Sequence, residues 1–92
     1  MSQDEEGFYI YMLECADGTL YTGWTTDPER RVKEHNAGTG ALYTRWRRPV
    51  EICYLEEAPD RSAAQRREIA IKKLTRPKKL ILVENYQGEA EN

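Results

Sequence analysis

No run of apolar residues in this 92-residue chain approaches the roughly 20 needed to cross a bilayer, so a membrane span is not expected. Cysteine is scarce. Cys15 and Cys53 lie in apolar, strand-like surroundings, and neither has a second cysteine or a histidine at metal-ligand spacing, which argues against a zinc site. Both read as small buried hydrophobes with reduced thiols. The opening segment, Met1 to Glu6, is acidic and polar and lacks the basic start and apolar stretch of a signal peptide, so a cytoplasmic protein is expected. The length suits one domain with a thin core.

Excess positive charge is also missing, the formal net charge being −2. The distribution is more telling than the sum. Six of the sixteen acids (Asp4, Glu5, Glu6, Glu84, Glu89 and Glu91) sit near the two ends. The stretch from Gly7 to Val83 therefore sets ten acids against all fourteen Lys and Arg and carries +4. One basic cluster holds Arg30, Arg31, Lys33, Arg45, Arg47 and Arg48, and another runs from Arg61 to Lys79. A basic body with acidic tails suits a phosphate-binding surface, although ordinary solvated helix charges give the same pattern.

Turn and cap signals organise the chain. Phe8 to Cys15 is rich in aromatic and β-branched residues and reads as a strand; Asp17-Gly18 is a turn, and Leu20 to Trp24 pairs back as a hairpin. Asp27 as cap, Pro28 and Glu29 open a helix that Gly38 closes. Gly38 to Pro49 is a Gly- and Arg-rich connection. Val50 to Leu55 reads as a third strand. Ser62 with Gln65 forms a capping box for a helix to about Leu74, and Thr75 with Pro77 starts a shorter helix to about Val83. The expectation is an α+β domain over residues 7–84, a small three-stranded antiparallel sheet with about three helices in the order ββαβαα, between an acidic tail (1–6) and a polar one (85–92). Helices are expected to cover one face of the sheet.

Several residues invite chemistry. On the second helix, Ala63, Ala64, Ala70, Ile71 and Leu74 make an apolar stripe, and Glu68 lies at its border, about 40° from Ala64 and about 60° from Ile71. A carboxylate pressed toward a core needs a partner. A divalent metal or a neighbouring Arg would serve, and on periodicity alone a structural pair is the simpler reading. Arg31 and His35, four apart, share a helix face and suit phosphate binding and proton relay, or else a solvated basic face. Tyr9, Tyr11 and Tyr21 sit in the hairpin. Trp24 is expected to pack on the sheet, whereas Trp46, among the arginines, is placed to stack on a base.

Taken together these residues resemble the GIY-YIG nuclease superfamily. The two-part signature reads Tyr9-Ile10-Tyr11 and Tyr21-Thr22-Gly23, ten residues separate Tyr11 from Tyr21, Arg31-Val-Lys-Glu-His35 matches the Arg-xxx-His of the first helix, and Glu68 falls at the position of the metal-binding glutamate. The likeness spans about Phe8 to Leu82. Ala41-Leu-Tyr-Thr-Arg-Trp-Arg-Arg-Pro49 further resembles the small stand-alone bacterial branch and is similar to the catalytic subunit of the eukaryotic structure-selective junction nuclease. Tyr9 replaces the first glycine, and a late asparagine has no secure counterpart, Asn85 lying near the tail.

The resemblance implies a divalent-metal-dependent endonuclease acting on DNA, branched or single-stranded, in repair or recombination, with RNA as an alternative substrate. Glu68 would hold one Mg²⁺ or Mn²⁺. Arg31 would clamp the phosphate, and Tyr11, Tyr21 and His35 would share water activation and proton transfer. Arg45, Trp46, Arg47, Arg48 and Lys72 would touch nucleic acid. The alternative is a non-catalytic nucleic-acid-binding module, or an interaction domain that needs a protein partner. A phenol acting as base requires a nearby cation to lower its pKa. The shared site also carries a geometric condition: a two-residue Asp17-Gly18 loop would put Tyr11 and Tyr21 on opposite faces, so the loop must be odd in length or bulged.

Overall fold

The computed structural model describes the backbone of residues 7–91 and side chains as far as Gln87; the acidic segment 1–6 lies outside the described residues. Seven elements follow in order: β1 (Phe8–Cys15), β2 (Leu20–Thr25), α1 (Pro28–Ala37), α2 (Leu42–Arg45), β3 (Val50–Ala58), α3 (Arg61–Lys72) and α4 (Arg76–Glu91). The sheet is antiparallel throughout, with β1 central in the order β2-β1-β3. The expected α+β class and sheet are thus present.

The hairpin meets its geometric condition. Tyr11 faces Gly23 and Leu13 faces Tyr21, leaving Ala16, Asp17 and Gly18 as a three-residue loop. Cys15 N–H donates to the Thr19 carbonyl, and Gly18, with φ of +85°, donates back to Cys15. That left-handed residue is what a three-residue hairpin loop needs, and glycine supplies it without steric penalty. Tyr11 and Tyr21 therefore lie on one face.

Helices cover both faces of the sheet, not one. On the first face Ile10, Met12, Cys53 and Tyr54 pack against Ala64 and Ile71 of α3 and Val83 of α4. On the second, Tyr11, Leu13, Cys15 and Val50 pack with Val32 of α1. A register shift between Met12 and Leu13 leaves Cys53 as an extra residue in β3, so that Cys53 and Tyr54, adjacent in the chain, both pack on the first face while Val50, Ile52 and Leu55 serve the second. Both cysteines are buried and free, and Trp24 lies against Phe8 with ring centroids 6.4 Å apart. Among the described residues no helix is long and apolar enough to cross a membrane.

Helix ends differ from expectation in two places. Asp27 caps α1 as read, accepting from Arg30 N–H. For α3 the cap is Asp60, which accepts from Ala63 N–H at 2.7 Å, and Ser62 instead accepts from Arg66. A capping box needs its Ser outside the helix, and Ser62 is already inside it. The last helix continues to Glu91 and takes in residues 85–91. Leu82, Val83 and Tyr86 fall on one helical side, and Tyr86 packs edge-on against Tyr54 with centroids 5.8 Å apart, so the sheet holds the extra turns.

Candidate active site

On the face carrying α1, the residue most deeply buried from that helix is a histidine. His35 is fully buried and sits in the middle of a chain of hydrogen bonds. Tyr11 Oη lies 2.9 Å from His35 Nε2, His35 Nδ1 lies 2.7 Å from Thr44 Oγ1, and Thr44 Oγ1 lies 3.1 Å from the Ala41 carbonyl. A hydroxyl has one proton, and a carbonyl can only accept. Thr44 must therefore donate to Ala41 and accept from His35 Nδ1–H, so Nε2 accepts from the Tyr11 phenol. Thr44 thus fixes the tautomer of His35, and α2, which presents Thr44, belongs to the site.

Local sequence explains the close fit. A Cβ on Gly23 would stand 2.5 Å from Tyr11 Oη, and one on Gly40 would stand 2.6 Å from His35 Nδ1. Neither position has room for a side chain while these two rings keep their places. Tyr21 lies 6.4 Å from Tyr11 and 5.2 Å from His35 between ring centroids, and Tyr43 of α2 lies 5.8 Å beyond Tyr21. The aromatic row continues outward to Arg47, whose guanidinium sits 3.9 Å from the Tyr43 ring centroid.

Charge frames this row from two sides. Arg31 donates to Glu34 at 2.8 Å and to the Gly40 carbonyl at 3.3 Å, and Glu34 raises its already high pKa. On the α3 flank, Glu68 is largely covered, with 18 % of its side chain exposed, and pairs with Lys72 at 3.2 Å. The Lys72 ammonium lies 5.9 Å from the Tyr21 ring centroid, which ties this flank to the phenols. The stripe that positions Glu68 is narrower than expected: Ala64 and Ile71 are buried, whereas Ala70 is exposed. Arg67, the arginine next to Glu68 in the chain, instead shares its Nε–H between the two carboxylate oxygens of Glu56.

Burial controls the protonation states. It pushes the Tyr11 phenol up to about 12, an effect larger than the opposing pull of Arg31. A nearby cation, Arg31 or a bound metal, was the expected source of a lowered pKa; Arg31 does act in that direction, but desolvation is stronger. Burial, followed by the Arg31 charge, holds His35 down at about 4. At neutral pH both groups are therefore uncharged, with the phenol donating and the imidazole accepting.

A profile of the GIY-YIG catalytic domain matches residues 7–81. The chain belongs to the GIY-YIG family. Among its relatives, a UPF0213 protein of Natronomonas pharaonis is 56% identical over 80 residues, covering 87% of this chain and 94% of the relative. One of Clostridium perfringens is 50% identical over 84 residues, covering 91% and 90%. Two solution NMR structures are similar: a UPF0213 protein from Bacillus halodurans (46% identity, TM-score 0.55, 85% and 83% covered) and a protein from E. faecalis (47%, TM-score 0.61, 90% and 88%).

For this GIY-YIG domain the structure gathers Tyr11, Tyr21 and His35 directly, with Arg31 and Glu68 at the margins. Sequence reading missed Thr44, Tyr43 and Gly40. All three lie in the segment 38–49, read there as irregular; Thr44, three residues after Ala41 in a short turn, carried no periodic signal of its own. The nucleic-acid candidates separate into groups. Arg47 is bonded to Asp17 at 3.0 Å and Lys72 to Glu68, while Arg48 donates to backbone carbonyls. Arg45 and Trp46 are exposed, Trp46 to 80%. Asn85 lines a cavity of about 250 Å³ with Tyr54 and Glu56, apart from these residues.

A metal ion would have to be held by few protein atoms. No group of three or more His, Cys, Asp or Glu converges among the described residues. The donor set suits Mg²⁺ or Mn²⁺ in one way: a single hard carboxylate, with Glu68 Oε2 bonded to Lys72, leaves the other positions to water and phosphate oxygens.

Proposed function

We propose that this GIY-YIG domain grips the phosphodiester backbone of DNA and, with one divalent cation on Glu68, hydrolyses it. The observation that carries the reading is the convergence of Tyr11, Tyr21 and His35 on one face, between the Arg31 guanidinium and the Glu68 carboxylate. An ion bound there supplies positive charge to the scissile phosphate and the leaving oxygen. Arg31, already charged and oriented by Glu34, turns toward a phosphate oxygen. Tyr11 holds the attacking water and can take its proton only after passing its own to His35 Nε2. Tyr21 packs beside that pair and keeps bulk water from it. RNA is the alternative substrate, and the cytoplasm, where free thiols persist, is the compartment that fits.

A second reading has its own support. The phenol near 12 and the imidazole near 4 oppose transfer of the proton between them, and Lys72 already neutralises Glu68. Those features favour a binding module that keeps the phosphate cradle without turnover, or one that a protein partner completes. Cleavage of duplex, single-stranded and branched DNA and of RNA, with Mg²⁺ or Mn²⁺, by the protein and its Glu68→Gln variant separates the two. Metal-dependent cutting that disappears in the variant supports the nuclease. Binding without cutting, equal in both proteins, leaves the binding module.

A further inference from the structure

Beside the site is a depression of about 410 Å³ bounded by Asn36, Arg45, Trp46, Arg48 and Pro49. We propose that it is a stacking subsite for one unpaired nucleobase, so that the bound nucleic acid has single-stranded character where it leaves the site. This rests on the reading that the domain grips a phosphodiester backbone, and it does not require cleavage.

Three observations point there. Trp46 is the most exposed large hydrophobic residue among those described, at 80%, and so presents an open ring face on which a base can stack. Its surroundings are cationic and unneutralised. Arg30 and Arg31 share Glu34, Arg47 has Asp17 and Arg67 has Glu56, whereas neither Arg45 nor Arg48 meets a carboxylate among the described residues. Arg48 uses Nε and Nη1 on the carbonyls of Arg45 and Asn36, which pins a full positive charge at the rim. A planar ring with guanidinium groups suits a base and its flanking phosphates.

The third observation concerns selectivity. Asn36 is the one side chain in the lining able to accept as well as donate, and both ends of its amide are committed to Val50: Oδ1 accepts from N–H at 2.7 Å and Nδ2 donates to the carbonyl at 3.0 Å. The Arg and Trp side chains of the lining carry only N–H donors, and the Asn36 amide is held in place by Val50. The subsite takes a base by its face, and a duplex, whose base faces are stacked, cannot enter it. Position in the chain links it to the site: Asn36 follows His35, and Arg45 and Trp46 follow Thr44.

The test is a binding titration without divalent metal. Tryptophan fluorescence and anisotropy are read with short oligothymidylate, the same strand in duplex form, and the same strand with one abasic position scanned along it. The expected result is quenching by the single strand, roughly tenfold weaker binding after Trp46→Ala, and retention after Trp46→Phe. One abasic position should cost the wild type a similar factor and cost Trp46→Ala almost nothing. Arg45→Ala should flatten the salt dependence. Trp46→Ala binding like wild type, or duplex binding as well as single strand, overturns the subsite while leaving the backbone reading intact. No binding of any nucleic acid overturns both. Loss of cutting in Glu68→Gln bears only on the nuclease reading.

Discussion

The two faces of the sheet are built from different materials. The face under α3 and α4 is closed mainly by hydrocarbon, with Ile10, Met12, Ala64 and Ile71 fully buried. The face under α1 buries a tyrosine, a histidine and a threonine almost as completely, and these remain buried because each polar atom has a partner. One face spends its burial on stability, and the other on holding three side chains in a fixed protonation pattern. A domain this small has little core to spare, so burying a hydrogen-bonded polar chain marks the second face as the working one.

Four experiments probe that contrast. Ile71→Ala, on the hydrocarbon face, should have the largest effect, lowering stability by about 2–5 kcal/mol in denaturant titrations, since it leaves a cavity between α3 and the sheet. A loss within the range of surface substitutions would mean the face is loosely packed.

The polar face should respond to acid. His35 takes up its proton near 4 in the fold and near 6.5 in the unfolded chain. Between those values the unfolded state binds more protons, so stability is full above pH 6.5, falls as the pH drops toward 4, and levels off for this group below that. The total is on the order of 3 kcal/mol. Chemical denaturation from pH 7 to 4 should show the slope in wild type and a smaller one in His35→Gln; equal slopes would place the acid sensitivity elsewhere.

Thr44→Val keeps shape and removes the oxygen that receives His35 Nδ1–H, so about 1–3 kcal/mol should be lost, together with the fixed tautomer. The imidazole nitrogen shifts in an NMR spectrum check the second part. Trp46→Ala should be the mildest, changing stability by no more than about 0.5 kcal/mol, because the side chain is bare. A larger loss would show that Trp46 packs on the fold rather than waiting for a ligand.

Much of this was legible beforehand. The strands, the Asp27 cap, the Gly38 stop and the cysteine burial all follow from short-range rules. The odd hairpin loop could be stated only as a condition, because Asp17-Gly18 suits a two- or a three-residue turn equally well locally. What decides it is the pairing of Leu13 with Tyr21, a contact across the strands. The capping box at Ser62 failed for a related reason: β3 runs on to Ala58, so the chain turns at Pro59 and Asp60 reaches the helix start first. For α4, the polar tail from residue 85 pointed to an end near Val83, and packing of Tyr86 against Tyr54 outweighs that local preference.

The sequence by itself determined the family signature, the α+β class and the identity of the candidate groups, because each depends on residue types at fixed separations along the chain. Tertiary structure alone decided that helices close both faces, that Thr44 rather than a charged residue orients His35, that Lys72 rather than an arginine meets Glu68, and that burial outweighs Arg31 in setting the Tyr11 proton. Those outcomes depend on which groups are removed from water together, and desolvation is a property of the packed molecule that no single segment carries.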